Sequence, residues 1–278
     1  MVRLDSWFED YIFGAGGASG KSCSSGAGGA DGAGSEPVVV TFTGSGGKTS
    51  LIRHLACSFA QTAQRRILVT PSTKMLIPPA EEKFFDRYFN GLPKDSMPGI
   101  TLAGNFNEKT GKLESLSLSA LEGIISAYDL VLIEGDGSRE LPLKGWEKYE
   151  PVVPSFTDIT IGIIPVLPLG KPISEKIIHR LPQFCALTGA KPDEPISPAH
   201  LAAAISGSIG SRGAANSNTR SLFSSSQGKK LLFINQVEDT NTMKHCLEII
   251  NLLPKKFRQT LNKIIIGSVM QNTLNEIF

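Results

Sequence analysis

The sequence predicts an open α/β fold, doubly wound around a mostly parallel sheet. Apolar runs of strand length recur along the chain, and they are continuous instead of alternating. Such runs suit strands buried on both faces of a parallel sheet. Stretches of helical periodicity separate several of them. A glycine-rich turn joins the first of these strands directly to a helical pattern.

Taken in order, residues 4–13 (LDSWFEDYIF) place Leu4, Trp7, Phe8, Tyr11 and Ile12 on one helical face. Residues 14–36 are almost wholly Gly, Ala and Ser and read as a flexible tether, because they have too little apolar surface to offset their ordering entropy. A single domain is expected over 37–278. Its strands are VVVTF (38–42), ILVT (67–70), DLVLIEG (129–135), ITIGIIPV (159–166), KLLFIN (230–235) and KIIIGSV (263–269). TSLIRHLACSFAQTA (49–63) sets Leu51, Ile52, Leu55, Ala56 and Phe59 on one stripe; SPAHLAAAIS and TMKHCLEIINLL are further helices. Gly104 and an Asn-Glu-Lys-Thr-Gly turn within 100–116 predict an inserted hairpin. The Gly/Ser-rich stretch 206–228 reads as a second flexible segment, a mobile loop.

Composition narrows the function. Hydrophobic residues make up 41% and charged residues 19%, ordinary for a domain with a real core. The formal net charge is +2 and the basic residues are dispersed, so no nucleic-acid partner is expected. Cys23, Cys57, Cys185 and Cys246 form no C-x-x-C pair and read as reduced thiols. His54, His179, His200 and His245 have no ligand spacing. The longest apolar stretch, 159–169, is broken by Pro165 and Pro168, so no membrane partner is expected either. With Asp5, Glu9 and Asp10 near the start there is no secretory pattern, and the expected location is the cytoplasm.

Two stretches resemble phosphate-binding loops. GAGGASGKS (14–22) follows a helical pattern and runs on into low-complexity sequence, so it reads as chance. TGSGGKTS (43–50) has the strand before it and the helix after it that aim backbone N–H groups at a phosphate. Phe42 stands where the strict pattern has its first Gly, which predicts a shorter or tighter loop. The loop also resembles the T-G-[TS]-x-G-K-[ST] loop of the Mur ligases, which bind ATP. Gly44, Ser45, Gly46, Gly47, Lys48, Thr49 and Ser50 are therefore the candidate nucleotide-binding residues, in a sheet of the P-loop NTPase type.

A second motif, DLVLIEGDGSRELPLKG (129–145), runs from a buried strand into acids. Glu134 and Asp136 share a strand face at the carboxyl end, where open α/β sheets bind ligands. With Thr49 they are the candidate Mg2+ ligands. A turn at Asp136-Gly137 and a Glu134–Lys pair is the alternative. Arg139 and Lys144 either neutralise phosphate charge in the transition state or are surface charges. Thr73 and Lys74, in TPSTKM, fall either near a γ-phosphate or in an ordinary turn. Asn235 and Glu238, in NQVED, are similar to the base-reading motif of GTPases, with Gln236 and Glu238 replacing its Lys and Asp.

In this order the pieces resemble the YqeC family, accessory proteins of selenium-dependent molybdenum hydroxylases. The resemblance is carried by VVVTFTGSGGKTSLIRHLA (38–56), RILVTPSTKM (66–75), DLVLIEGDGSRELPLKGWEKYEPVVP (129–154), LGKPISEKIIHR (169–180) and LLFINQVED (231–239). It implies phosphate contacts at Gly44 to Thr49, an important acid at Asp136, and site positions at Lys144, Glu150, His179 and Arg180. Tyr149 departs from the family, which more often has His there, and residues 14–36 and 206–228 resemble insertions.

The expected protein is an Mg2+-dependent NTPase using ATP or GTP. Lys48, Asp136 and Arg139 are its candidate catalytic residues, and a molybdenum hydroxylase or its cofactor-maturation proteins are its expected partners. One alternative is a small-molecule kinase or ligase. Another is a non-catalytic carrier or chaperone, switched by nucleotide and docking through the 4–13 helix.

Overall fold

The computed structural model describes residues 2–14, 36–208 and 219–277. The stretch GAGGASGKS lies outside these beyond Gly14, as does most of the expected tether.

A twelve-stranded, mostly parallel mixed sheet organises the chain. Its centre is β2 (Val38–Gly44), flanked by β8 (Leu130–Glu134) and β10 (Ile159–Pro165). On the β8 side follow β3 (Arg66–Pro71) and β6 (Gly99–Asn107), with β5 (Arg87–Asn90) beyond. On the β10 side follow β12 (Lys229–Asn235) and β13 (Lys263–Ser268). All these neighbours pair in parallel. Antiparallel strands finish the two edges: β14 (Thr273–Glu276) and β1 (Val2–Arg3) at one, β7 (Lys112–Glu114) and β4 (Lys74–Leu76) at the other. Every residue of β2, β8 and β10 is buried, as continuous apolar runs require. The expected hairpin is β6–β7, although β6 is also a strand of the parallel sheet.

Helices cover both faces. On one lie α1 (Leu4–Phe13) and α2 (Lys48–Ala63); α2 buries Leu51, Ile52, Leu55, Ala56 and Phe59 against Val38, Val40 and Phe42 of β2. On the other lie α4 (Leu181–Thr188), α5 (Pro198–Ser206), α6 (Thr240–Leu252) and the short α7 (Lys255–Arg258). The five-residue α3 (Leu118–Glu122) covers a smaller cluster around Tyr128.

The apolar face of α1 is satisfied within the chain. Leu4, Phe8 and Ile12 are fully buried, and Phe8 meets Phe233 of β12 edge to face. Asn272, just before β14, bonds the Asp5 amide, the Asp5 carboxylate and His54 of α2. The chain's own sheet therefore covers the part of that face formed by Leu4, Phe8 and Ile12, while Trp7 and Tyr11 are half-buried.

Part of the expected mobile loop is packed. Leu222 and Phe223 are buried, and the Leu222 carbonyl accepts the Thr43 hydroxyl at 2.9 Å. Residues 209–218 of it lie outside the described residues. Among the described residues no helix is long and apolar enough to cross a membrane.

Candidate functional site

The sheet order reverses at β2. From β2 the chain reaches β3 two places away, returns to β8 beside β2, and leaves for β10 on the other side. Ligands of open α/β sheets sit outside the carboxyl ends at such a reversal. The loop Gly44–Lys48 lies there.

Phe42 has a structural explanation. Strand β2 continues through Gly44, and Phe42 points into the α1–α2 core with no exposed surface. The turn proper is only Ser45–Gly47, shorter than the strict pattern, as the missing glycine predicts. Gly44, Gly46 and Gly47 hold positive φ of 97°, 71° and 130°. At Gly44 no other residue fits: a Cβ would lie 2.1 Å from the backbone carbonyl oxygen of Ile163.

These turns leave a run of free donors. The Gly44 amide bonds Asp136 and the Ser45 amide bonds the Ile163 carbonyl at 3.1 Å. The amides of Gly46, Gly47, Lys48, Thr49 and Ser50 have no partner among the described residues. All five residues line a cavity of about 840 Å3. Successive unpaired N–H groups at a helix start form an anion-binding concavity. Lys48, buried to 4% exposure, curls back so that Nζ donates to the Gly44 carbonyl at 2.5 Å and lies 3.4 Å from Asp136.

The two acids face different partners. Strand β8 ends at Glu134, so the alternation expected to align it with Asp136 stops there. Glu134 lines the cavity and accepts the Thr49 hydroxyl at 2.8 Å. Burial pushes its carboxyl above the usual range, against the charge of Lys48 and the Thr49 hydrogen bond. Asp136 has no exposed surface and lines neither this cavity nor its neighbour. Trp146 Nε1 donates to it at 2.7 Å and Lys144 Nζ at 3.0 Å. Burial works to raise its pKa, but Lys144 and Lys48 outweigh that and hold it below the ordinary value.

Thr49 and Glu134 are thus the candidate pair that opens on the cavity, and one hydroxyl with one carboxylate could hold an Mg2+ ion that keeps waters as further ligands. Asp136 instead fixes the loop through the Gly44 amide.

A two-stranded ribbon, β9 (Leu143–Lys144) with β11 (Ile178–His179), sets Lys144 beside His179. The Lys144 ammonium reaches Glu150 at 3.0 Å, and Arg180 caps the same carboxylate. Burial, then the charges of Arg180, Lys144 and Arg139, pull the His179 pKa down to about 4. Thr73, Lys74, Glu150, His179 and Arg180 line a second cavity of about 940 Å3; Lys144, itself fully buried, does not. Lys74, Lys112, Gly137, Arg139 and Leu141 are common to both cavities.

Asn235 is buried and its Nδ2 donates to the Gly46 carbonyl at 2.8 Å, while its Oδ1 accepts the Val269 amide at 3.1 Å. It braces the glycine loop from β12. Glu238 is exposed and accepts the Ser268 hydroxyl at 2.8 Å. Sequence reasoning missed Trp146 and Lys112. The K-G-W run placed Trp146 next to a candidate lysine, and that adjacency was its only signal.

The family model for YqeC protein matches residues 40–182, which hold the loop, both acids and the β9–β11 ribbon. Over 174 residues the chain is 32% identical to a protein of Escherichia coli (strain K12) described as uncharacterized protein YqeC, covering 61% of this chain and 68% of that one. No solved structure matches. The chain belongs to the YqeC family.

Proposed function

We propose that the chain is an Mg2+-dependent P-loop protein that binds and hydrolyses ATP or GTP, in support of the maturation of a selenium-dependent molybdenum hydroxylase. The carrying observation is the run of unpaired amides from Gly46 to Ser50, gathered with Lys48 around one cavity. Lys48 leaves the Gly44 carbonyl for the β- and γ-phosphates. Thr49 and Glu134 hold Mg2+, which when bound neutralises phosphate charge. Arg139, exposed on the cavity wall, meets charge that develops on the transferred group. Asp136 is a positioning residue, acting through Gly44 and Lys48. The hydroxylase context rests on family membership alone.

Calorimetric titration with Mg-ATP and Mg-GTP tests the reading. One nucleotide should bind, and Lys48→Ala should weaken it by about a hundredfold, the loss of a buried charge contact of roughly 2.7 kcal/mol. Binding that ignores Lys48→Ala, or no binding of either nucleotide, sinks it. A second reading, transfer to a small molecule, is favoured by the adjoining cavity. Label from the γ-phosphate appearing on anything but water separates the two.

A further inference from the structure

We infer that the second cavity, behind Arg139, is a binding site for a small molecule bearing an oxyanion, a phosphate ester or a carboxylate. Its placement next to a γ-phosphate rests on the nucleotide reading above; anion binding itself does not.

One observation is an unsatisfied group. The Thr73 hydroxyl is shut off from solvent and has no hydrogen-bond partner among the described residues, and Thr73 lines this cavity. Leaving a buried hydroxyl unpaired is unfavourable, and Thr73 is itself only half-buried, so a χ1 rotation that turns the hydroxyl into the cavity lets a bound acceptor satisfy it.

Charge is the other observation. The lining carries Lys74, Lys112, Arg139 and Arg180 against two carboxylates, Glu150 and Glu175. Lys74 is committed to Glu114 at 2.6 Å, and Arg180 to Glu150 and Glu147. Lys112 and Arg139 have no ion pair among the described residues, and both stand on the wall common to the two cavities. Arg139 is placed there by a turn in which it and Glu140 adopt φ of 53° and 61°. A side chain with a Cβ adopts that conformation only at an energetic cost. The depressed pKa of His179 is compatible with this charge balance: burial is its main cause, and the nearby charges of Arg180, Lys144 and Arg139 outweigh that of Glu150 in the same direction.

The two anion classes differ in shape and charge, and a titration distinguishes them. Orthophosphate and malonate are titrated separately into Lys48→Ala protein, in which the charged side chain of the glycine loop is removed. The same titrations are run after adding Thr73→Val, at a residue that lines the second cavity and not the first, and separately after adding Lys112→Ala and Arg139→Ala, which line both. A charge-matched control adds Lys255→Ala and Lys256→Ala on α7 instead. Neither Lys112 nor Arg139 leaves a partner stranded, and circular dichroism checks that each variant folds. One of the two anions should bind the Lys48→Ala protein, lose about tenfold or more in affinity with the Lys112/Arg139 changes and weaken with Thr73→Val as well; a loss with the Lys112/Arg139 changes but none with Thr73→Val places the anion in the first cavity and overturns the proposal. A phosphate response assigns a phosphate-type ligand and a malonate response a carboxylate. No binding of either anion, binding that survives those changes, or an equal loss in the control overturns the proposal. Failure of nucleotide binding alone leaves this result standing.

Discussion

The carboxylate of Asp136 accepts the backbone N–H of Gly44 with both oxygens, at 3.0 and 3.2 Å. That contact ties the segment just beyond β8 to the first residue of the glycine loop. Asp136→Asn keeps an acceptor but removes the charge opposite Lys144 and Lys48, all three being buried. Breaking a buried ion pair from one side costs about 3–5 kcal/mol. Urea denaturation at neutral pH should register a loss of that order. The sign of the pH effect follows from the lowered pKa: Asp136 contributes stability above about pH 3.8, and it is lost as pH falls through the folded value. An unshifted midpoint in the variant contradicts this role.

Glu134 behaves in the opposite sense. Burial raises its pKa, so its contribution is full below about pH 4.5 and is lost as pH rises through the folded value. Glu134→Gln should therefore stabilise the ligand-free protein at neutral pH by on the order of 1 kcal/mol, roughly 2–4 °C in Tm. The same change should abolish the Mg2+ dependence of nucleotide binding. A melting point that drops, or Mg2+ dependence that persists, argues against Glu134 as the metal-facing acid.

His179 should give the fold an acid-side weakness. Its pKa falls from 6.5 to about 4. Between those values the unfolded chain takes up a proton that the folded chain refuses, so stability declines as pH falls through that window. Denaturation midpoints at pH 7 and pH 5 should differ less in His179→Asn than in the native protein. Equal slopes in the two proteins remove His179 from the account.

Helix α1 should be integral to the domain. Phe8 is fully buried, 5.2 Å from the Trp7 ring centroid and 6.5 Å from that of Phe233. Phe8→Ala should cost about 3–5 kcal/mol in chemical denaturation. A loss below about 1 kcal/mol would mean that the helix is dispensable to the sheet.

The architecture was legible where burial alone dictates sequence. The runs at 38–42, 129–135 and 159–166 had to be apolar throughout because β2, β8 and β10 are covered on both faces. The stripe Leu51–Phe59 had to follow the helical period to meet them. The loop was legible through its neighbours more than through its glycines, because a strand and a helix are what aim its amides. The division of labour between the acids was not legible. Period-two reasoning aligned Glu134 with Asp136, but it holds only inside a strand, and β8 stops at Glu134. Nor was the packing of Leu222 and Phe223, since composition around them is dominated by Gly and Ser. Lys112 stands on the β6–β7 hairpin that the Asn-Glu-Lys-Thr-Gly turn predicts, but no local pattern says that this hairpin borders the cavities.

Lys144 closes a loop on itself. Its ammonium donates to the Gly137 carbonyl at 2.7 Å and meets Asp136 at 3.0 Å, so the segment that carries Arg139 is clasped at its neck. One end of that segment is bonded to Gly44 through Asp136, and the other, at Arg139, stands between the two cavities. The wall that divides the two chambers and the first residue of the glycine loop are therefore parts of one braced unit.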